Sequence, residues 1–328
     1  MNVLVTGGAG FIGSHLVDAL LQANHSVRVL DNLANGKLEN MCKHEGNPGF
    51  EFMLGSITDP FDVSKAMNDI QIVFHLACLG VRHSIKHPFE NHKVNAEGTL
   101  FLLEEALKKK VEKFIYCSSS EVYGTAIYAP IKEDHPTSPC TVYGSSKLAG
   151  EAYTRAYNRT YGMKTVVVRP FNTYGPRSHY EGDAGEMIPK SIIRVLNGND
   201  ILIFGDGSQT RDFTYVTDSA KGLVTAMQEN RLIGGTFNMG SNFEIPMHNL
   251  AEKIIALIPE KKVSIQFVKD RPGDVLRLFA DSSLYAKITA WRPIISFDDG
   301  LKKTVTWFRQ LNNDTNNLME EEKAFNWE

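Results

Sequence analysis

The sequence predicts an α/β fold, a doubly wound parallel sheet joined to a smaller α/β substrate-binding domain. Short β-branched runs alternate with helical patterns through the first half of the chain. A glycine-rich turn joins the first strand to the first helix, and the rhythm changes after Pro170.

Strands are expected near 2–6, 26–30, 50–54, 71–76, 112–118 and 164–169, with helices near 11–23, 90–109 and 144–161. That alternation argues for parallel strands covered on both faces. Glycine and proline become frequent around Asn172-Thr173-Tyr174-Gly175-Pro176, which marks a domain change. Beyond it the pattern predicts a helix (186–197), a strand (201–204), a strand-to-helix unit (211–229) and a strand (234–238). A helix (247–258), a strand (263–268) and a last helix (298–311) complete the pattern. Because 212–240 reads as a return to the first lobe, the expected division is 1–172 with 212–240, then 173–211 with 241–311. The Asn- and Glu-rich tail 312–328 is expected to fray, with Phe325 and Trp327 free to dock on a partner subunit.

With 328 residues, 42% hydrophobic and 22% charged, the chain can bury a large core. A net charge of -3 gives no footprint for nucleic acid, and Lys108-Lys109-Lys110 suits a helix C-terminus. Cys42, Cys78, Cys117 and Cys140 lack metal-ligand spacing, so reduced, buried thiols and no metal are expected. No apolar stretch approaches the roughly 20 residues of a membrane span, and no cationic leader precedes Val3, which predicts a soluble cytoplasmic protein.

Thr6-Gly7-Gly8-Ala9-Gly10-Phe11-Ile12-Gly13 follows the first strand and opens a helix. Gly7, Gly10 and Gly13 then stand where a tight turn, a close approach to pyrophosphate and helix–strand packing need them, as in a Rossmann dinucleotide site. Asp31 ends the second strand, 18 positions after Gly13, where a carboxylate accepts both ribose hydroxyls and repels a 2′-phosphate. Asn32-Leu33-Ala34 follow, with no Arg to receive that phosphate, so NAD is expected rather than NADP.

Tyr143 and Lys147 stand four apart at the start of a helix and share one face, and an ammonium beside a phenol favours the phenolate. Cys117-Ser118-Ser119-Ser120-Glu121-Val122-Tyr123-Gly124 ends the fifth strand, at the sheet edge where ligands of open α/β folds bind.

With these motifs in place, the chain resembles the NAD-dependent epimerase/dehydratase family of extended short-chain dehydrogenases/reductases, up to about residue 310. The resemblance rests also on His75-Leu76-Ala77, Asn95 with Gly98-Thr99, Arg169 to Arg177, Gln209 to Phe213, and Arg271-Pro272-Gly273-Asp274. It implies a tightly held NAD, a nucleoside-diphosphate sugar substrate and a transient 4-keto sugar. Tyr143 would take the proton of the 4-hydroxyl, Ser119 would bond the same oxygen, and Lys147 would also hold the nicotinamide ribose. The resemblance extends the cofactor site to Phe11, Ile12, Asn32, Ser56, Ile57, Leu76, Ala77, Asn95 and Pro170. It assigns the diphosphate to Asn172, Arg211 and Arg271, the nucleotide ribose to Asp274, and further substrate contacts to Arg82, Ser84 and Arg177. Phe204 is either a stacking platform for the base or a core residue.

Two departures from the family pattern bear on chemistry. Where the family often has an acid after the third strand for the adenine amino group, this chain has Leu54-Gly55-Ser56-Ile57, leaving Ser56 or Asp59 to accept that bond. Where hexose 4,6-dehydratases often carry Thr-Asp-Glu, it has Ser119-Ser120-Glu121. Glu121 argues for work at C5 and hence a 4,6-dehydratase, with Ser120, water or Tyr123 in the proton path. The alternatives are a UDP-hexose 4-epimerase in which Glu121 only positions substrate, a UDP-glucuronate decarboxylase, and a non-catalytic NAD-sensing regulator. Arg277 stands one residue off the spacing to Asp281 that a decarboxylase implies, and the intact Ser119, Tyr143 and Lys147 argue against a regulator. A homodimer is expected through helices 90–109 and 144–161, with Leu100, Leu103 and Leu107 facing either the partner or the sheet.

Overall fold

The computed structural model describes residues 1–314 and 318–328. Strands β1 (Asn2–Thr6), β2 (Ser26–Asp31), β3 (Phe50–Leu54), β4 (Ile72–His75), β5 (Lys113–Cys117) and β6 (Thr165–Pro170) occupy the expected places. They are followed by β7 (Asn172–Tyr174), β8 (Ile201–Phe204), β9 (Thr210–Tyr215), β10 (Thr236–Met239), β11 (Glu244–Pro246), β12 (Ile265–Val268) and β13 (Arg277–Leu278). Seven strands form one parallel sheet in the order β10-β6-β5-β4-β1-β2-β3. The winding reverses between β1 and β4, so a crevice opens at their carboxyl ends.

The central strands are buried on both faces, which is why Val3-Leu4-Val5 and Thr165-Val166-Val167-Val168 read as continuous rather than alternating apolar runs. Helices α1 (Phe11–Gln22), α2 (Pro60–Ala66), α3 (Val81–Lys86), α4 (Pro88–His92), α5 (Gly98–Lys108) and α6 (Val142–Tyr161) belong to the first half. Then come α7 (Met187–Leu196), α8 (Val216–Gln228), α9 (Met247–Ala256), α10 (Ser283–Thr289), α11 (Phe297–Asp314) and α12 (Leu318–Glu321). Leu16, Val17 and Leu20 of α1 and Leu223 and Ala226 of α8 cover one face of the sheet. Leu102, Leu103 and Ala106 of α5 cover the other, against Leu4, Phe114 and Tyr116. Thr141 caps α6 by accepting from the Gly144 amide at 3.2 Å. Gly150 lets that helix approach closely, since a Cβ there would lie 2.3 Å from the Tyr116 oxygen.

A second core gathers Ile188, Ile192, Ile193, Ile203, Leu250, Ile254, Leu301, Val305 and Phe308 around two small sheets, β11-β9-β13 with β7 on β9, and β8 with β12. Tyr285 and Trp291, inside the stretch expected in the smaller domain, instead pack into the core of the large sheet. Leu103 is wholly buried in the core of the α5 face, so it is not available to a partner; Leu100 of the expected trio remains exposed. Cys42 and Cys140 are exposed, contrary to the expectation of buried thiols. The described part of the tail is also unlike the frayed segment expected: Leu318, Asn326 and Trp327 are buried against the chain's own smaller core. Among the described residues no helix is long and apolar enough to cross a membrane.

Behind the carboxyl edge lies a buried ion pair. Glu151 of α6 has no exposed surface and takes two bonds from Arg169 of β6, at 2.8 and 2.7 Å, one from Arg155 at 2.9 Å and one from Ser118 at 2.6 Å. Arg169 also donates to the Tyr123 hydroxyl at 2.7 Å, which donates in turn to Asn238 of β10 at 2.6 Å. Removing one member of a buried pair strands the other charge. Glu151→Ala is therefore expected to lower unfolding free energy by about 3–5 kcal/mol in denaturant melts, whereas a loss below about 1 kcal/mol would mean the pair is solvated.

Candidate active site

A cleft of about 960 Å³ runs from the glycine turn after β1 to the smaller core. Gly7 adopts a φ of 72°, and a Cβ on Gly13 would lie 2.1 Å from the Gly7 carbonyl oxygen, so this turn admits no side chain at Gly13. Gly10 caps α1 without any side-chain bond, and no acid stands in the first turn, leaving the helix N-terminus open to an anion. Asp31 accepts from the Ala9 amide at 3.0 Å and the Leu33 amide at 2.8 Å, which braces the turn and leaves lone pairs on both oxygens. Phe11, Ile12, Asn32, Ser56, Ile57, Leu76, Ala77 and Pro170 line the same cleft. An open helix N-terminus, a glycine-rich turn and a strand-end carboxylate together fit a dinucleotide with a free 2′-hydroxyl.

Asn95 does not line the cleft; its amide bonds both backbone groups of Leu79 at 2.9 Å and so shapes the wall from behind. Asp59 is spent capping α2, where it accepts from the Phe61 amide at 2.8 Å. Ser56 lines the cleft, with its hydroxyl 2.9 Å from that of Thr58.

Ser119, Ser120, Glu121, Tyr143 and Lys147 converge on the cleft beside that site. Lys147 is buried and donates to the Cys117 carbonyl at 2.6 Å, with its Nζ 4.6 Å from the centre of the Tyr116 ring. Burial lifts the Tyr143 phenol well above its ordinary range, the Lys147 charge and a Ser119 hydrogen bond pull it back only in part, and Glu121 pushes it further up. The Lys147 charge and the Ser119 bond thus act in the direction that favours the phenolate, against the cost of desolvation. Burial likewise raises the Glu121 carboxyl, against the opposing pull of Arg211, Arg271 and Arg82.

Arg82, Asn172, Phe204, Arg211, Arg271 and Asp274 all line the cleft. Asp274 holds both arginines through one oxygen, with Arg211 at 2.9 Å and Arg271 closer still. Asn172 Nδ2, Arg271 Nε and Gln209 Oε1 are buried without a hydrogen-bond partner. Two expected substrate contacts lie elsewhere. The Ser84 hydroxyl donates to its own helix at the Val81 carbonyl, 2.6 Å away, and Arg177 pairs with Asp18 at 3.0 Å. Both are corrections: the Ser84 hydroxyl is bonded within its own helix and Asp18 draws the Arg177 guanidinium away, so neither reaches the cleft wall. Arg277 is also outside, bonded to Glu244 at 2.6 and 2.8 Å.

The sequence reading missed Cys78, whose thiol raises both Tyr143 and Lys147, and the cleft-lining Glu186, Lys190, Glu322 and Asn326. Cys78 directly follows the His75-Leu76-Ala77 motif and was open to discovery there; the others carry no local signal.

Residues 3–240 match the family model of the NAD dependent epimerase/dehydratase family. A UDP-glucose 4-epimerase of Mycolicibacterium smegmatis is 36% identical, over 94% of this chain and 99% of that protein. A dTDP-glucose 4,6-dehydratase of an Actinoplanes species is 35% identical, over 94% of this chain and 98% of that one. The crystal structure of DesIV, a dTDP-glucose 4,6-dehydratase from Streptomyces venezuelae with NAD bound, superposes with a TM-score of 0.90 at 30% identity, covering 95% of this chain and 98% of that one.

Glu186 yields a pH test. It is partly buried in the cleft wall, and desolvation lifts its carboxyl to about 7, with His179 and Arg82 opposing in part. An acid raised on folding binds more protons folded than unfolded, so the stability it contributes is full below about pH 4.5 and lost as pH rises through about 7. Glu186→Gln is expected to be more stable than wild type near pH 8, on the order of 1–3 kcal/mol, with the gap closing toward pH 4. A variant less stable than wild type near pH 8 would contradict this.

Proposed function

The chain belongs to the NAD dependent epimerase/dehydratase family, and on that premise we propose that it is a nucleotide-sugar 4,6-dehydratase acting on a UDP- or dTDP-hexose. The observation that carries the reading is a carboxyl, Glu121, in the same cleft as Ser119, Tyr143 and Lys147. NAD, which the Gly7–Gly13 turn, Asp31 and Lys147 would hold, would supply an acceptor for the C4 hydrogen and a source from which it returns to the sugar.

Tyr143 takes the proton of the C4 hydroxyl, with Ser119 donating to the same oxygen and Lys147 stabilising the phenolate. Once C4 is a carbonyl, the C5 proton is acidic, and Glu121 removes it. Burial, which lifts this carboxyl, makes it the stronger base and then a ready donor to the departing C6 oxygen. Glu121 performs both transfers because Tyr123 is committed to Arg169 and Asn238, and Ser120 is no acid. Arg211, Arg271 and Asn172 hold the diphosphate, and the second oxygen of Asp274 takes a ribose hydroxyl.

The absence of an acid at Ser120 favours a second reading, a 4-epimerase in which Glu121 only orients the sugar. Decarboxylation has less support, since Arg277 is engaged outside the cleft.

Glu121→Gln separates the two readings, because it keeps the shape and deletes the base. The dehydratase reading expects turnover to fall about 10²-fold or more and solvent deuterium to stop entering C5, while UDP-sugar affinity changes little. Half the wild-type turnover remaining would make Glu121 a positioning residue and leave the epimerase.

A further inference from the structure

The far end of the cleft is built by a segment that lies beyond the family resemblance. Glu322, Lys323, Ala324 and Asn326 line the cleft together with Phe204, Gln209 and Arg271. Long-range bonds hold them there: Arg194 pairs with Glu322 at 2.9 Å, and Lys190, buried beneath, donates to the Lys323 and Ala324 carbonyls. Trp327 packs edge-on against Phe204 with ring centres 4.5 Å apart. Phe204 lines the cleft and Trp327 does not, so the indole backs the ring from outside and leaves its inner surface for a ligand.

Asn326 has no exposed surface. Its Nδ2 donates to the Gly185 carbonyl at 2.9 Å and the Gly182 carbonyl at 3.2 Å. Two carbonyls on one side fix the orientation of the amide, because only the nitrogen can face them. Oδ1 is thereby left as a buried acceptor with no partner. An unpaired buried acceptor is costly, so its place in a ligand cleft calls for a ligand N–H.

We propose that residues 322–327 wall the nucleobase end of the cleft and that Asn326 reads the base, its Oδ1 accepting the imide N–H of uracil or thymine. The inference rests on the nucleotide-sugar reading, which supplies these two bases; the imide N–H is the single ring-edge donor they share. Phe204, backed by Trp327, offers the base its apolar surface.

Calorimetry on the NAD-loaded enzyme tests this with UDP and 3-methyluridine 5′-diphosphate, which lacks the imide proton. Wild type is expected to bind the methylated nucleotide about 10-fold or more weakly. Asn326→Ala is expected to bind UDP about 10-fold more weakly and to distinguish the two nucleotides by less than about 2-fold. Loosening of the tail alone would weaken both equally and preserve the discrimination, so an undiminished methyl penalty in the variant overturns the assignment. So does the lack of any penalty in wild type, or GDP binding tighter than both UDP and dTDP. Should Asn326→Ala fail to fold, Trp327→Ala keeps the acceptor and is expected to weaken both nucleotides in parallel while keeping the penalty; a lost penalty there counts against Asn326. These binding results do not depend on C5 chemistry, so a failed dehydratase reading remains separable.

Discussion

The geometry of the cleft hangs on the buried pair between Glu151 and Arg169. Glu151 lies one helical turn beyond Lys147 on α6, Ser118 precedes Ser119, and Tyr123 follows Glu121 by two residues; each of these segments is tied to the pair or to its partners. A helix, the end of β5 and the loop after it are thus fastened to β6 at one point, and Asn238 brings β10 into the same network. Such a pair adds little net stability relative to apolar packing, because desolvation consumes most of its attraction. Its physical effect is positional, holding groups from separate elements at hydrogen-bond range, which acid–base chemistry requires.

Burial then sets the electrostatics. It raises Tyr143 and Glu121 together, so the charged form of each leans on the cations around it. Three arginines and Asp274 face them, and Asp274 keeps Arg211 and Arg271 together in the absence of a phosphate. An anionic ligand would compete with that carboxylate for the arginines.

Much of the large sheet could be read from the chain because parallel strands leave a local trace. Val3-Leu4-Val5 and Val166-Val167-Val168 must be apolar on both faces, and Gly7 and Gly13 must lack side chains for steric reasons visible in one short segment. The short strands β7, β11 and β13 left no such trace, since two or three residues carry no period. Ser84, Asn95 and Arg177 sit at the right places in their motifs, yet Val81, Leu79 and Asp18 hold their polar ends away from the cleft. The tail misled for the converse reason. Its Asn and Glu content signals solvation, but Glu322 meets Arg194 and Asn326 meets Gly182 and Gly185, partners more than 100 residues away in sequence.

Whether the Ser119, Tyr143 and Lys147 cluster oxidises C4 so that Glu121 can act at C5 is tested most directly by product analysis in deuterium oxide. Wild-type enzyme would be incubated with UDP- and dTDP-hexoses and the products followed by mass and NMR. Loss of one water, a 4-keto-6-deoxy sugar and solvent deuterium at C5 are expected. A product of unchanged mass with inverted C4 and its original C5 hydrogen would contradict that chemistry.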